Sequence, residues 1–128
     1  MENLQIGSLE LAYLGDAVIE LMVRERLVKA GYAGAGKLNK MSLDYVRATA
    51  QSAALENILD MLSEEEMGVF KRARNNSKIN APKSASVLEY RRATGLEALF
   101  AYLYLEGRTE RMNFLFDNAY KINGQSES

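Results

Sequence analysis

Apolar residues recur along the chain at helical spacing, and the strict alternation typical of a half-buried strand is absent. Two Ser-x-x-Glu capping boxes, Ser63 with Glu66 and Ser86 with Glu89, mark helix starts. Ser8 is a further candidate N-cap. The pattern predicts an all-α fold with five main helices, over about 8–31, 37–62, 63–75, 86–107 and 109–122.

The length of 128 residues suits one domain over 1–128, with 123–128 as a frayed tail. The N-terminus lacks the basic start and apolar run of a signal peptide, and the apolar run over 11–23 is too short and too acidic to span a bilayer. The chain has no cysteine, which fits a reducing compartment. We therefore expect a cytoplasmic protein with no membrane partner.

Histidine is also absent from the chain. Its absence removes the commonest general base and, with that of cysteine, the usual zinc ligands. Any catalysis must therefore depend on carboxylates, lysines, tyrosines, hydroxyls or a bound ion.

Basic residues are concentrated in one segment, although the net charge of the whole chain is −1. Residues 71–92 hold seven basic side chains and one acid, a local charge of +6, against −7 for the rest of the chain. Such a run is either a solvated face or a surface for a polyanion. The basic side chains are Lys71, Arg72, Arg74, Lys78, Lys83, Arg91 and Arg92.

The stretch GYAGAGKL matches the G-x-x-x-x-G-K pattern of a phosphate-binding loop. That loop needs a preceding strand and a Ser or Thr after its lysine to hold magnesium. Here a predicted helix precedes it and Leu38 follows the lysine. We therefore predict a helix end and a connection, and no nucleotide cofactor.

Two helices that are apolar almost all round each contain an isolated acid. Asp16 and Glu20 are the only charges over 11–23, and Glu97 is the only charge over 93–105. Such helices are usually buried, and a buried carboxylate is costly without a partner. Three partners remain open: an arginine (Arg24, Arg91 or Arg92), a shared proton or a metal ion. A further alternative is a helix face that is more exposed than the apolar pattern indicates. Small residues would let the two helices approach closely: Ala12, Gly15, Ala17, Ala93, Gly95 and Ala98.

The metal alternative has a specific chemistry. Magnesium takes oxygen ligands and is often held by one or two carboxylates together with substrate phosphates. Two acids from different helices suit that ion better than zinc, and the basic segment before Glu97 would bring the phosphates. The combination suggests metal-assisted phosphodiester hydrolysis.

The stretches LAYLGDAVIEL and TGLEALFAYLYLEG resemble, in order, context and separation, the two catalytic motifs of the ribonuclease III domain. The short length and the stretch RARNNSKINAPKSASVLEYRRAT resemble the Mini-ribonuclease III branch, which lacks an appended double-stranded-RNA-binding domain. The resemblance implies a helical endonuclease bundle that forms a homodimer. It also implies cleavage of double-stranded RNA, with precursor large-subunit (23S) ribosomal RNA as the substrate.

By this resemblance Asp16 and Glu97 are the catalytic residues and the ligands of Mg²⁺, for which Mn²⁺ is an expected substitute. The larger relatives carry further acids where this chain has Leu9, Ala12 and Thr94. Waters would then complete the coordination of the ion, and Thr94 or Glu20 would order them.

Shape-based recognition of A-form RNA uses phosphates and 2′-hydroxyls, which basic and polar side chains contact. The predicted RNA contacts are Arg72, Arg74, Asn75, Lys78, Lys83 and Arg91. Two alternatives remain at this point. One is a non-catalytic RNA- or ribosome-binding dimer, and the other is a helical magnesium-dependent nucleotide pyrophosphohydrolase, although such enzymes cluster their acids as Glu-x-x-Glu on one helix.

Overall fold

The computed structural model describes residues 5–80 and 86–122, and all regular structure in these ranges is helical. A single 3₁₀ turn, Leu59–Met61, follows the third helix. The helices are α1 (Ser8–Lys29), α2 (Ala35–Val46), α3 (Ala48–Ile58), α4 (Glu64–Arg74), α5 (Val87–Leu105) and α6 (Thr109–Ala119).

Helix α5 lies at the centre and packs against α1, α3, α4 and α6. It is apolar all round and, as that pattern predicts, its side chains are buried on several sides. Leu96, Leu99 and Phe100 have no solvent exposure, and Ile19 and Val23 of α1 are equally buried against them. The core therefore forms around the helix that carries Glu97.

Helix α1 departs from the expectation of burial. One face enters the core, but Tyr13 is 86% exposed and Leu21 is 65% exposed. Asp16 is also exposed. The apolar residues on the outer face of α1 therefore have no partner within the described part of the chain.

The single helix predicted over 37–62 is wrong: α2 and α3 are separate helices, so residues 5–80 and 86–122 form six α-helices and not five. The chain changes direction at Arg47, whose ψ of 152° is extended. Neither glycine nor proline marks the break. Instead the Gln51 side chain donates from Nε2 to the Val46 carbonyl at 3.0 Å, which replaces a helical hydrogen bond lost at the break.

Helix starts follow the sequence signals with one exception. The capping box at α4 is confirmed, since Ser63 Oγ accepts from the Glu66 amide at 3.1 Å and the Ser63 amide donates to Glu66 Oε1 at 2.9 Å. Ser86 Oγ likewise accepts from the Glu89 amide at 3.0 Å. At α1 the N-cap is Gly7, and Ser8 is already helical.

No helix in the described ranges is long and apolar enough to cross a membrane. The tail predicted over 123–128 lies outside the described residues.

Candidate active site

The two isolated acids meet where α1 and α5 touch. Gly15 makes the contact possible, because a Cβ atom at this position would overlap the Glu97 carbonyl group. The adjacent residue, Asp16, is thereby placed beside Glu97, and the charge of Asp16 raises the pKa of Glu97. The close approach predicted from small residues is thus confirmed at Gly15, whereas Gly95 accommodates Phe70 of α4.

Asp16 and Glu97 lie in the wall of an open cavity of about 540 Å³. Helices α1 and α5 form one side, and the junction between α2 and α3 forms another. The segment after α4 contributes residues 78–80. The other lining residues are Leu9, Ala12, Tyr13, Val46, Ala48, Gln51, Tyr90, Ala93 and Thr94.

Glu97 is held in a setting that disfavours its charge. Burial, and then the negative charge of Asp16, raise the pKa of Glu97 to about 8, although the amide of Gln51 opposes this shift. Gln51 Nε2 lies 3.5 Å from Glu97 Oε2. Without a cation, the pair therefore retains a proton near neutral pH, which is the shared-proton alternative foreseen from the sequence.

None of the three candidate arginines neutralises the acids. Arg24 pairs with Glu20 at 3.1 Å, and Arg92 pairs with Glu56 at 2.6 Å. Arg91 donates to two backbone carbonyls. No ion pair within the described ranges includes Asp16 or Glu97. The arginine alternative is therefore wrong for these arginines.

The donor set suits a hard cation. Asp16 and Glu97 offer carboxylate oxygens, and Thr94 offers a hydroxyl whose proton goes to the Tyr90 carbonyl at 2.9 Å, so its lone pairs stay free. No cluster of three or more acidic, histidine or cysteine ligands occurs among residues 5–80 and 86–122. Two carboxylates at an open cavity leave room for waters and phosphate oxygens, as Mg²⁺ requires.

Three of the predicted RNA contacts, Arg74, Asn75 and Lys78, lie at or just after the end of α4. Lys78 lines the cavity, and its amide donates to Asn76 Oδ1 at 2.8 Å, which fixes the turn that presents it. Asn75 accepts from Arg74 Nε at 2.9 Å, and the Arg74 guanidinium lies over the Phe70 ring at 5.2 Å.

The other predicted contacts are placed differently. Arg91 braces the end of α4, donating to the Arg74 and Asn76 carbonyls, each at 3.0 Å. Arg72 lines a separate cavity with residues of α1 and α5. Lys83 lies outside the described residues. Glu20, expected to order waters, does not line the cavity of Asp16 and Glu97.

Sequence reasoning missed Gln51, whose side chain is 1% exposed and contacts Glu97. Its Oε1 is buried without a hydrogen-bond partner among the described residues. The sequence feature that could have indicated Gln51 is its amide, which lies on a face of α3 whose other buried side chains are small or apolar.

The family model of the ribonuclease III domain matches residues 9–108. The Mini-ribonuclease 3 of Symbiobacterium thermophilum is 48% identical over 110 residues, which cover 86% of this chain and 85% of that protein. The chain belongs to the ribonuclease III family, in its Mini-ribonuclease 3 branch. Another relative in this branch, from Desulfitobacterium hafniense, is 44% identical over 96% of this chain and 78% of its own length.

The fold agrees with this membership of the ribonuclease III family. A crystal structure of a Fusobacterium nucleatum protein matches with a TM-score of 0.79 and 36% identity, covering 88% of this chain and 90% of that one. The chain is therefore an endoribonuclease with a ribonuclease III-like fold. This result sets aside the pyrophosphohydrolase and the non-catalytic alternatives.

Proposed function

We propose that this endoribonuclease cleaves double-stranded RNA with Mg²⁺ held by Asp16 and Glu97, and that Mn²⁺ can replace it. One observation supports this most: two carboxyl groups from different helices meet at an open cavity, and no arginine or lysine of the described residues forms an ion pair with either. A divalent cation would replace the proton that the pair retains without it.

When bound, the cation supplies Lewis-acid activation of the scissile phosphodiester and of the water that attacks it. Asp16 on α1 and Glu97 on α5 would hold the cation between the two helices. Thr94, whose hydroxyl proton is committed to the Tyr90 carbonyl, accepts a hydrogen bond from water in the cavity. Lys78 at the mouth offsets phosphate charge.

The RNA surface combines the cavity mouth with the end of α4. A duplex of A-form RNA presents phosphates and 2′-hydroxyls, so Lys78, Asn75 and Arg74 suit its backbone. Arg72 and Lys83 extend the basic segment. Arg91 holds the backbone before Lys78 through its Nη1, which donates to two carbonyls, and the rest of its guanidinium suits an RNA phosphate.

We further propose that the protein is a homodimer that uses the outer face of α1. Tyr13, Ala17 and Leu21 follow one another at four-residue spacing on this face and are all exposed. A groove of about 390 Å³ runs beside them, between α1 and the α5–α6 region, and includes the half-exposed Tyr104. A second copy related by a two-fold axis would cover these apolar side chains on both protomers.

The substrate we propose is the precursor of large-subunit (23S) ribosomal RNA, processed in the cytoplasm. The membership of the Mini-ribonuclease 3 branch supports this assignment, as does the charge of +6 over 71–92. A dimer with one cavity per protomer would cut the two strands of a duplex at two sites.

Cleavage assays on a perfect RNA duplex and on single-stranded RNA, with Mg²⁺ or Ca²⁺, test the proposal. We expect cleavage of the duplex with Mg²⁺ and not with Ca²⁺. In Asp16→Asn and in Glu97→Gln the cleavage rate should fall by roughly 1,000-fold or more, the order expected when a catalytic ligand is removed. Both variants should remain folded. Retained cleavage in either variant would remove that residue from the catalytic pair. Precursor ribosomal RNA cut no faster than an arbitrary duplex would remove the substrate assignment.

A further inference from the structure

Gln51 lies in the wall of the cavity beside Glu97 and is almost completely enclosed. Its side chain is 1% exposed, and its Nε2 donates to the Val46 carbonyl at 3.0 Å and approaches Glu97 Oε2 at 3.5 Å. Its Oε1 is buried and has no hydrogen-bond partner among the described residues. The Nε2 end of the Gln51 amide therefore points to the active site, whereas its Oε1 lacks the hydrogen-bond donor that a buried acceptor requires.

Tyr120 presents the complementary group. It follows α6, is 6% exposed, and its hydroxyl is buried without a partner among the described residues. Its ring contacts that of Tyr45, whose neighbour Val46 supplies the carbonyl that Gln51 binds, so Tyr120 lies at the same α2–α3 junction as Gln51. Burial, and then the charge of Glu97, raise the pKa of Tyr120. The ring is fixed by Phe116 at 4.9 Å and by Tyr45 at 6.1 Å between centroids.

An unpaired buried donor and an unpaired buried acceptor thus occur beside one carboxylate. Phenylalanine has nearly the shape of Tyr120 and would remove the unsatisfied hydroxyl, and methionine has nearly the shape of Gln51 and would remove the unsatisfied Oε1, although it would also remove the donor to the Val46 carbonyl. The polar pair is therefore unfavourable for folding as it stands. Its position around Glu97 offers a reason for it in the chemistry of the site.

We propose that Gln51 and Tyr120 are positioning residues for the cation: the Tyr120 hydroxyl donates to Gln51 Oε1 through one buried water, and the Gln51 amide holds the Glu97 carboxylate toward Asp16. This inference depends on the proposed function of Asp16 and Glu97. It adds a buried layer whose members touch neither RNA nor the ion. Such outer partners typically change metal affinity or activity by 10- to 100-fold.

The test compares wild type with Gln51→Met, Tyr120→Phe and the control Tyr45→Phe. Tyr45 packs on the Tyr120 ring, so its variant removes a neighbouring phenol hydroxyl without altering the pair. Mg²⁺ alone is titrated into each protein in the absence of RNA, and binding is followed through the amide NMR signals of residues 15–17 and 96–98. The melting temperature, kcat and KM for duplex RNA are measured in parallel.

We expect Gln51→Met to weaken Mg²⁺ binding about 10-fold or more, and Tyr120→Phe to weaken it by a smaller factor. In both variants kcat should fall with little change in KM. The melting temperature should hold or rise in Tyr120→Phe because an unsatisfied group is gone, and it should fall in Gln51→Met because the Val46 carbonyl loses its donor. Tyr45→Phe should bind Mg²⁺ like wild type. The double variant should lose no more affinity than Gln51→Met, since both residues act through one chain of hydrogen bonds.

Two results would overturn the inference separately from the proposed function. If Glu97→Gln abolishes Mg²⁺ binding but Gln51→Met and Tyr120→Phe bind as wild type does, the pair is only structural. Independent, multiplicative losses in the double variant would break the link between the two residues. If instead wild type shows no Mg²⁺ binding that Glu97→Gln removes, the proposed function itself fails, and the inference fails with it.

Discussion

Gly15 of α1 lies directly against the backbone of Glu97 in α5, so that a Cβ atom at residue 15 would overlap the Glu97 carbonyl group and lie 2.9 Å from its Cα. The obstructing atoms are backbone and cannot rotate away. The separation of the two helices is therefore fixed by the absence of a side chain at the residue next to Asp16. The packing of α1 on α5 and the placement of the two carboxylates therefore both depend on Gly15.

Gly15→Ala should force α1 and α5 apart and separate Asp16 from Glu97. Overpacking of this kind costs about 1–3 kcal/mol of unfolding free energy. A displacement of about 1 Å at a reacting centre costs about 100-fold in rate, so activity of the folded fraction should fall by at least that much. Urea unfolding and duplex cleavage below the melting temperature measure the two effects.

Gly36→Ala is the matched control, because Gly36 is helical and a Cβ atom there meets nothing within 4 Å. It should stabilise the protein by about 0.5–1 kcal/mol and leave cleavage unchanged. Equal activity of Gly15→Ala and wild type would show that the helix contact does not set the geometry of the pair.

The sequence predicts much of this arrangement because its main signals are local. The Ser63 and Ser86 caps, the helical period and the two isolated acids can all be identified without tertiary information. The conjunction of Asp16 with Glu97 follows from small residues on two apolar helices.

The features that were missed depend on hydrogen bonds from side chains to backbone carbonyls. The break at Arg47 has no local marker, since Gln51 replaces the lost backbone hydrogen bond with its side chain. Arg91 lies within a basic run, and its Nη1 also donates to carbonyls 15 and 17 residues earlier, a structural role that the run does not indicate. Neither contact can be inferred from the amino-acid composition or from the spacing of the hydrophobic residues.

The raised pKa of Glu97 predicts an unusual pH dependence of stability in the absence of divalent cations. Burial and the Asp16 charge raise the pKa to about 8, from the value of 4.5 expected for an exposed glutamate. The folded state then keeps a proton that the unfolded state releases, so the free energy of unfolding falls as pH rises from about 4.5 to about 8. The loss should be on the order of 3 kcal/mol.

Urea unfolding in EDTA at pH 5 and pH 8 measures this loss, with Glu97→Gln as the reference for all other titrating groups. The variant should lack the Glu97 contribution. Mg²⁺ at pH 8 should restore stability to wild type and not to Glu97→Gln, because the cation takes the place of the proton. Identical pH profiles for the two proteins would contradict the assigned coupling.

Lys78 should contribute to RNA affinity through charge alone. It lines the mouth of the cavity and forms no ion pair with another described residue. Lys78→Ala in the Glu97→Gln background should weaken duplex binding regardless of sequence. It should also reduce the slope of log K against log salt concentration by about 0.9, the value for one phosphate contact.

Lys29→Ala in the same background is the control for Lys78. Lys29 is exposed and pairs with Glu25 at the last turn of α1, 13 residues from Asp16 or about 20 Å along the helix. It should leave the salt slope unchanged. A salt slope for Lys78→Ala equal to that of the control would exclude Lys78 from the RNA surface.

Leu21→Glu should convert the proposed dimer into a folded monomer. Leu21 is 65% exposed in the protomer, so a charge there costs the isolated fold little, whereas a second copy would bury it. A two-fold axis repeats the substitution, and burial of each leucine contributes about 1.5–3 kcal/mol, so the dimer should weaken by at least 100-fold.

Light scattering across a concentration series measures the mass of the particle in solution. The control is Leu43→Glu on α2, since Leu43 is 49% exposed but lies outside the α1 groove. A wild-type monomer, or a Leu21→Glu dimer as tight as the Leu43→Glu dimer, would show that this face of α1 does not join two copies.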